Sequence, residues 1–151
     1  MKDTSLLTYI RAASVREIQG LSVQQFNTIP TGFNNNIIWN AGHLIAVEQR
    51  VLYSRSGQTP LVSEEFFAKY QSGTRPDEYI EEVEINEIRK LLTYSVERFE
   101  QDRNNNLFTS YTSWSPSYGN TVSNINEAIT FLSFHEGLHL SCFKAYKRLL
   151  K

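Results

Sequence analysis

In four long stretches of this chain the apolar residues recur by threes and fours, a spacing that lays them along one side of an α-helix. The first runs from about Asp3 to Gln19. Its stripe is Leu6, Leu7, Ile10, Ala13, Ile18 and Leu21, with Asp3 or Thr4 as the cap and Gly20 near the end. The second follows Asn34-Asn35-Asn36, whose short polar side chains suit capping, and passes through Ile37, Ala41, Leu44, Ile45, Val47, Val51 and Leu52 to stop near residues 57–60. The third extends from about Glu84 to Asp102 on Ile85, Ile88, Leu92, Val96 and Phe99. The fourth starts after Gly119, where Asn124-Ile125-Asn126-Glu127 resembles a capping box, and reaches Leu150.

The polar connection between the second and third stretches, roughly 58–83, holds Glu64-Glu65-Phe66-Phe67, which suits a short helix. The connection at 104–120 is rich in Ser, Thr and aromatics, but no partner strand of comparable length is evident. The expected fold is all-α: a four-helix bundle forming one domain over residues 1–151, with a long connection between helices two and three.

Charge and composition narrow the function. Fifteen Lys and Arg against sixteen Asp and Glu leave a net charge of −1, without the basic excess that nucleic-acid binding calls for. No apolar run approaches the ~20 residues of a membrane span, and the first residues lack the apolar core of an export signal, so a cytoplasmic protein is expected. Cys142 is the one cysteine, which rules out an intramolecular disulfide or a thiolate metal cluster and suits a buried, inert thiol.

The chemistry lies in three histidines, His43, His135 and His139. Four residues on a helix turn through about 400°, so His135 and His139 leave one face a turn apart, close enough to share an ion. Both fall on the fourth helix's seam of Ile125, Ala128, Leu132, His135, His139, Cys142, Tyr146 and Leu149, where aliphatic residues would be expected. Buried imidazoles need partners, and a divalent cation satisfies two at once. His43, beside the apolar stripe of the second helix, is the natural third ligand if helices two and four are neighbours. A three-histidine site leaves a coordination position open to acidify a water, bind a thiolate or polarise a carbonyl. The competing reading is a hydrogen-bonded histidine cluster with a purely structural role.

His135-Glu136-Gly137-Leu138-His139 also fits the zinc-protease pattern. Against that reading, only residues 140–151 follow His139, Cys142 and Ala145 stand where the extended pattern needs Gly and His, and no edge strand is evident to align a peptide. Glu136 is a candidate base for a metal-bound water, a hydrogen-bonder behind the ligands, or a surface charge. Glu48 reads as a solvated helix charge, Glu127 as a capping residue and Trp39 as core packing. The aromatic loop 107–120 leads into the histidine-bearing helix, as a lid or as an ordinary packed connection.

Trp39-Asn40-Ala41-Gly42-His43-Leu44 and His135-Glu136-Gly137-Leu138-His139 resemble the helix-two and helix-four ligand motifs of the DinB-like superfamily, which includes YfiT-type metal-dependent hydrolases. The resemblance covers nearly the whole chain. Members often follow the last histidine with Gly-Gln, where this chain has Leu140-Ser141. The resemblance implies an up-down-down-up bundle, a three-histidine centre for nickel or zinc, and often a homodimer. It further implies a small-molecule substrate and an enzyme, either a hydrolase or a low-molecular-weight-thiol S-transferase. In the first, Glu136 would shuttle the proton; in the second, a cofactor thiol would be activated. The alternative is a non-catalytic, metal-stabilised bundle that binds a ligand or partner.

Overall fold

The computed structural model describes residues 5–150, and the cap expected at Asp3 or Thr4 lies outside them. Six α-helices form: α1 (Ser5–Glu17), α2 (Val23–Asn27), α3 (Ile37–Leu52), α4 (Glu64–Tyr70), α5 (Glu82–Asn104) and α6 (Ile125–Leu149). A 3₁₀ turn at Ser54–Ser56 follows α3, and no strand occurs among the described residues. None of these helices is long and apolar enough to cross a membrane.

The starts of the helices follow from their caps. Asn36 accepts the backbone N–H of Trp39 at the head of α3, and Asn124 accepts those of Asn126 and Glu127 at the head of α6. Glu127 reaches back to the Ser123 N–H, the capping role expected of it. Helix α4 falls where the Glu64–Phe67 patch suggested one. Helix α2 was not expected, although Ser22 and Gln25 form a reciprocal capping box that the sequence carries as Ser-x-x-Gln.

Helix α1 packs on α5 and α6, and α3 packs on the same two, so the four long helices close a ring. Its interior holds two apolar clusters. Ile18, Ile37, Ile38, Leu44, Ile85, Leu92 and Phe143 belong to one; Leu7, Val51, Leu52, Phe99, Ala128 and Leu132 belong to the other.

Between these clusters, along all four helices, stands a layer of buried polar groups. Arg11 of α1 donates through Nε and Nη2 to both carboxylate oxygens of Glu136 on α6, at 2.9 and 2.5 Å. Its Nη2 also pairs with Glu48 of α3 at 2.8 Å, and its Nη1 donates to the Leu92 carbonyl and Ser95 hydroxyl of α5. The Ser95 hydroxyl donates to Glu48 in turn, and Gln49 donates to the other Glu48 oxygen. One guanidinium thus ties four helices together.

This layer corrects several expectations. Glu48 is not a solvated charge, and Glu136 is not a surface one: both are fully buried. The inward side of α1 runs through Leu7, Arg11, Ser14 and Ile18, while Leu6 is exposed. At the far end of α6 Leu149 is exposed, because the helix turns its Phe143 and Tyr146 inward instead. Cys142 is half-buried, and burial pushes its thiol pKa up.

Candidate metal centre

His43 sits on α3, the most buried helix; within Ile37–Leu52 only Val47 and Arg50 escape burial. His135 and His139 project from α6 a turn apart, as their spacing requires. The three rings converge, and one ring nitrogen from each lies within 4.8 Å of the others. His43 Nε2 and His135 Nε2 are 3.3 Å apart. Two nitrogens each about 2.0–2.1 Å from one tetrahedral ion stand about 3.3–3.4 Å apart, so the separation already suits a shared metal.

The rings are aimed by specific partners. His43 Nδ1–H donates to the Tyr70 carbonyl at 2.8 Å, which leaves the Nε2 lone pair facing the cluster. That carbonyl is available because it ends α4, where the last turn has no helical donor for it. His139 Nδ1–H donates to Asn40 Oδ1 at 2.7 Å. Asn40 is itself oriented, since its Nδ2 donates to Asn35 Oδ1 and to the Asn36 carbonyl. Trp39 stacks on His43 with centroids 4.7 Å apart and planes 13° from parallel, and Phe131 stacks on His135 at 6.0 Å. Trp39 is therefore core packing and ring support together.

Burial keeps the imidazoles neutral. It pushes the His135 pKa down to about 2, helped by His139, His43 and Arg11, and that of His139 down to about 3, helped by His43. The His43 pKa falls for the same reason, against the opposing pull of the Tyr70 carbonyl. Neutral imidazole is the form that binds a metal. His135 Nδ1 is buried with no hydrogen-bond partner among the described residues. The donor set, its aim and its protonation all fit a divalent ion with an open position.

The histidines line a cleft of about 520 Å³, within the range of small-molecule sites. Arg50, Phe67, Trp114, Tyr118 and Phe131 contribute to its walls. The aromatic loop is a packed connection that also contributes to the cleft wall. Phe108, Tyr111 and Trp114 pack against the second apolar cluster, while residues 114–118 wall the cleft. A single antiparallel bridge between Trp114 and Val122 pins the loop.

Glu136 does not line this cleft. Both its oxygens accept from Arg11, and burial raises its pKa against the pull of that guanidinium. Sequence reasoning missed Asn40, Tyr70 and Arg11 as parts of the site. Asn40 carried a signal, a carboxamide one turn before His43 on a helix otherwise apolar there. The Tyr70 carbonyl carried none, since a backbone acceptor can come from any residue.

A family model described as DinB superfamily matches residues 6–143. No curated protein matches the chain.

Proposed function

The chain belongs to the DinB superfamily, and from that premise we propose a metal-dependent enzyme whose single divalent ion, zinc or nickel, is held by His43, His135 and His139. The observation that carries the reading is the convergence of three neutral, pre-aimed imidazoles in the wall of a ligand-sized cleft. A divalent ion with an open position supplies Lewis-acid polarisation and lowers the pKa of a bound water or thiol. The protein's residues fix the rest: Tyr70 and Asn40 aim the rings, Trp39 and Phe131 brace them, and Trp114 and Phe67 wall the cleft.

Two reactions suit such a site, hydrolysis and S-transfer from a low-molecular-weight thiol. Among the described residues the cleft wall has no Asp or Glu, and Glu136 is engaged by Arg11. Hydrolysis needs a group to move protons, whereas lowering a thiol's pKa asks no base of the cleft, so we favour transfer. Glu136 then acts as a positioning residue, holding α6 through Arg11.

The fold reading follows the same premise. Leu7 near the start of α1 shares a cluster with Val51, Phe99 and Leu132, from the ends of α3 and α5 and the start of α6. That pairing of ends supports an up-down-down-up four-helix bundle, one domain across the chain. A small-molecule substrate, a homodimer and a cytoplasmic setting complete the proposal.

The test is turnover of electrophiles with low-molecular-weight thiols, set beside a panel of ester and amide hydrolyses, before and after chelation. Chelator-sensitive S-transfer without hydrolysis is expected. Metal retained with no turnover in either assay would overturn the enzyme in favour of a non-catalytic module.

A further inference from the structure

The cleft carries one full charge on its walls, and it is positive. Among the described residues Arg50 is the only Arg, Lys, Asp or Glu side chain lining it. It lies seven residues beyond His43 on α3, about 10 Å along the axis and within about 20° of the same side. With Val47 it makes the one face of α3 that the core does not bury.

Arg50 has a packing partner but no polar one. Its guanidinium carbon stands 4.0 Å from the centroid of the Phe67 ring, a cation–π contact. Among the described residues it makes no hydrogen bond or ion pair, in contrast to Arg11 and Arg98, which pair with carboxylates. Five N–H donors in a planar fork match the two oxygens of a carboxylate or two of a phosphate. Arg55, outside the cleft, stands 5.5 Å from the ring of Trp114, one of the wall residues. A cleft with these features repels cations and offers a neutral ligand nothing that would compensate the half-buried guanidinium.

We propose that the cleft takes a small molecule with an oxyanion head, which the Arg50 fork binds while an apolar middle lies among Trp114, Phe131 and Phe67. The ligand's other end then reaches the three histidines two helical turns away. This rests on the metal-site reading for the ligand's reacting end, and on Arg50 alone for its head.

The experiment uses the purified full-length protein, with metal content measured in every sample. Binding of 4-phenylbutyrate, 3-phenylpropylphosphonate and the neutral 4-phenylbutanamide is followed by the Trp114 indole N–H resonance. At least one anion should bind tenfold or more tightly than the amide, and comparing the two shows whether the head is carboxylate or phosphate-like. Arg50→Gln should abolish that preference and Arg50→Lys keep part of it, with metal content unchanged in both. Equal binding of all three by the wild type overturns the inference, as does an anion preference that survives Arg50→Gln, since the ion would then be the anion's partner. Protein without stoichiometric metal but with an Arg50-dependent anion preference would sink the metal reading and leave this one standing.

Discussion

A methyl group on Gly42 would stand 2.5 Å from the Tyr70 ring, far inside contact distance. The missing side chain is what lets α4 lie on α3, and that approach brings the Tyr70 carbonyl to His43. Gly42→Ala should therefore cost about 1–3 kcal/mol in a urea melt and weaken metal binding as His43 loses its aim. Unchanged metal affinity would separate the carbonyl from the site. Asn40→Ala acts on the other end. It should reduce metal affinity by about 10–100-fold, read by chelator competition, because His139 then loses the acceptor that fixes its tautomer.

Protonation of the same rings sets a pH dependence for the metal-free protein. The unfolded histidines take up protons below about 6.5, whereas folded His135 and His139 resist until about 2 and 3. Between those limits the unfolded state binds more protons, so stability falls as pH falls, by about 1.4 kcal/mol per unit for each ring. The raised Glu136 carboxyl has the opposite sign, and offsets one ring between its ordinary and its raised value. Urea midpoints of chelator-treated protein should drop steadily from pH 7 to 5. A flat profile would mean the rings are not buried as described.

At the scale of the element, α1 shows how a regular pattern can mislead. Of the expected stripe Leu7 and Ile18 are buried, yet Leu6 is exposed, and Arg11 and Ser14, which lay outside the stripe, are buried between them. An apolar pattern leaves Arg11 out because it is charged, and the partners that make it tolerable lie on α3 and α6, far away in sequence. Glu48 and Glu136 were misread for the same reason. On α5 every residue of the expected stripe, Ile85, Ile88, Leu92, Val96 and Phe99, is buried, and the polar residues buried with them were not predicted by it. Arg11→Met should cost about 3–5 kcal/mol by urea unfolding, since it strands two buried carboxylates. Adding Glu48→Gln and Glu136→Gln should recover part of the loss, because amides are cheaper to bury than unpaired charges. A neutral single substitution would contradict the layer's role.

For the whole molecule, the ring of long helices, the caps at Asn36 and Asn124 and the meeting of His43 with His135 and His139 were all legible, because each depends on spacing or on residue type. The cleft was not, since its walls join α3, α4, α6 and the loop at 114–118, and no local pattern encodes their assembly. The central claim is that three imidazoles from two helices hold one divalent ion. Elemental analysis of the purified wild type beside His43→Ala, His135→Ala and His139→Ala, with each variant's fold checked by circular dichroism, tests it most directly. About one zinc or nickel per chain in the wild type, lost in all three folded variants, is the predicted result. A wild type without stoichiometric metal, or a folded His43→Ala that keeps its ion in full, would contradict it.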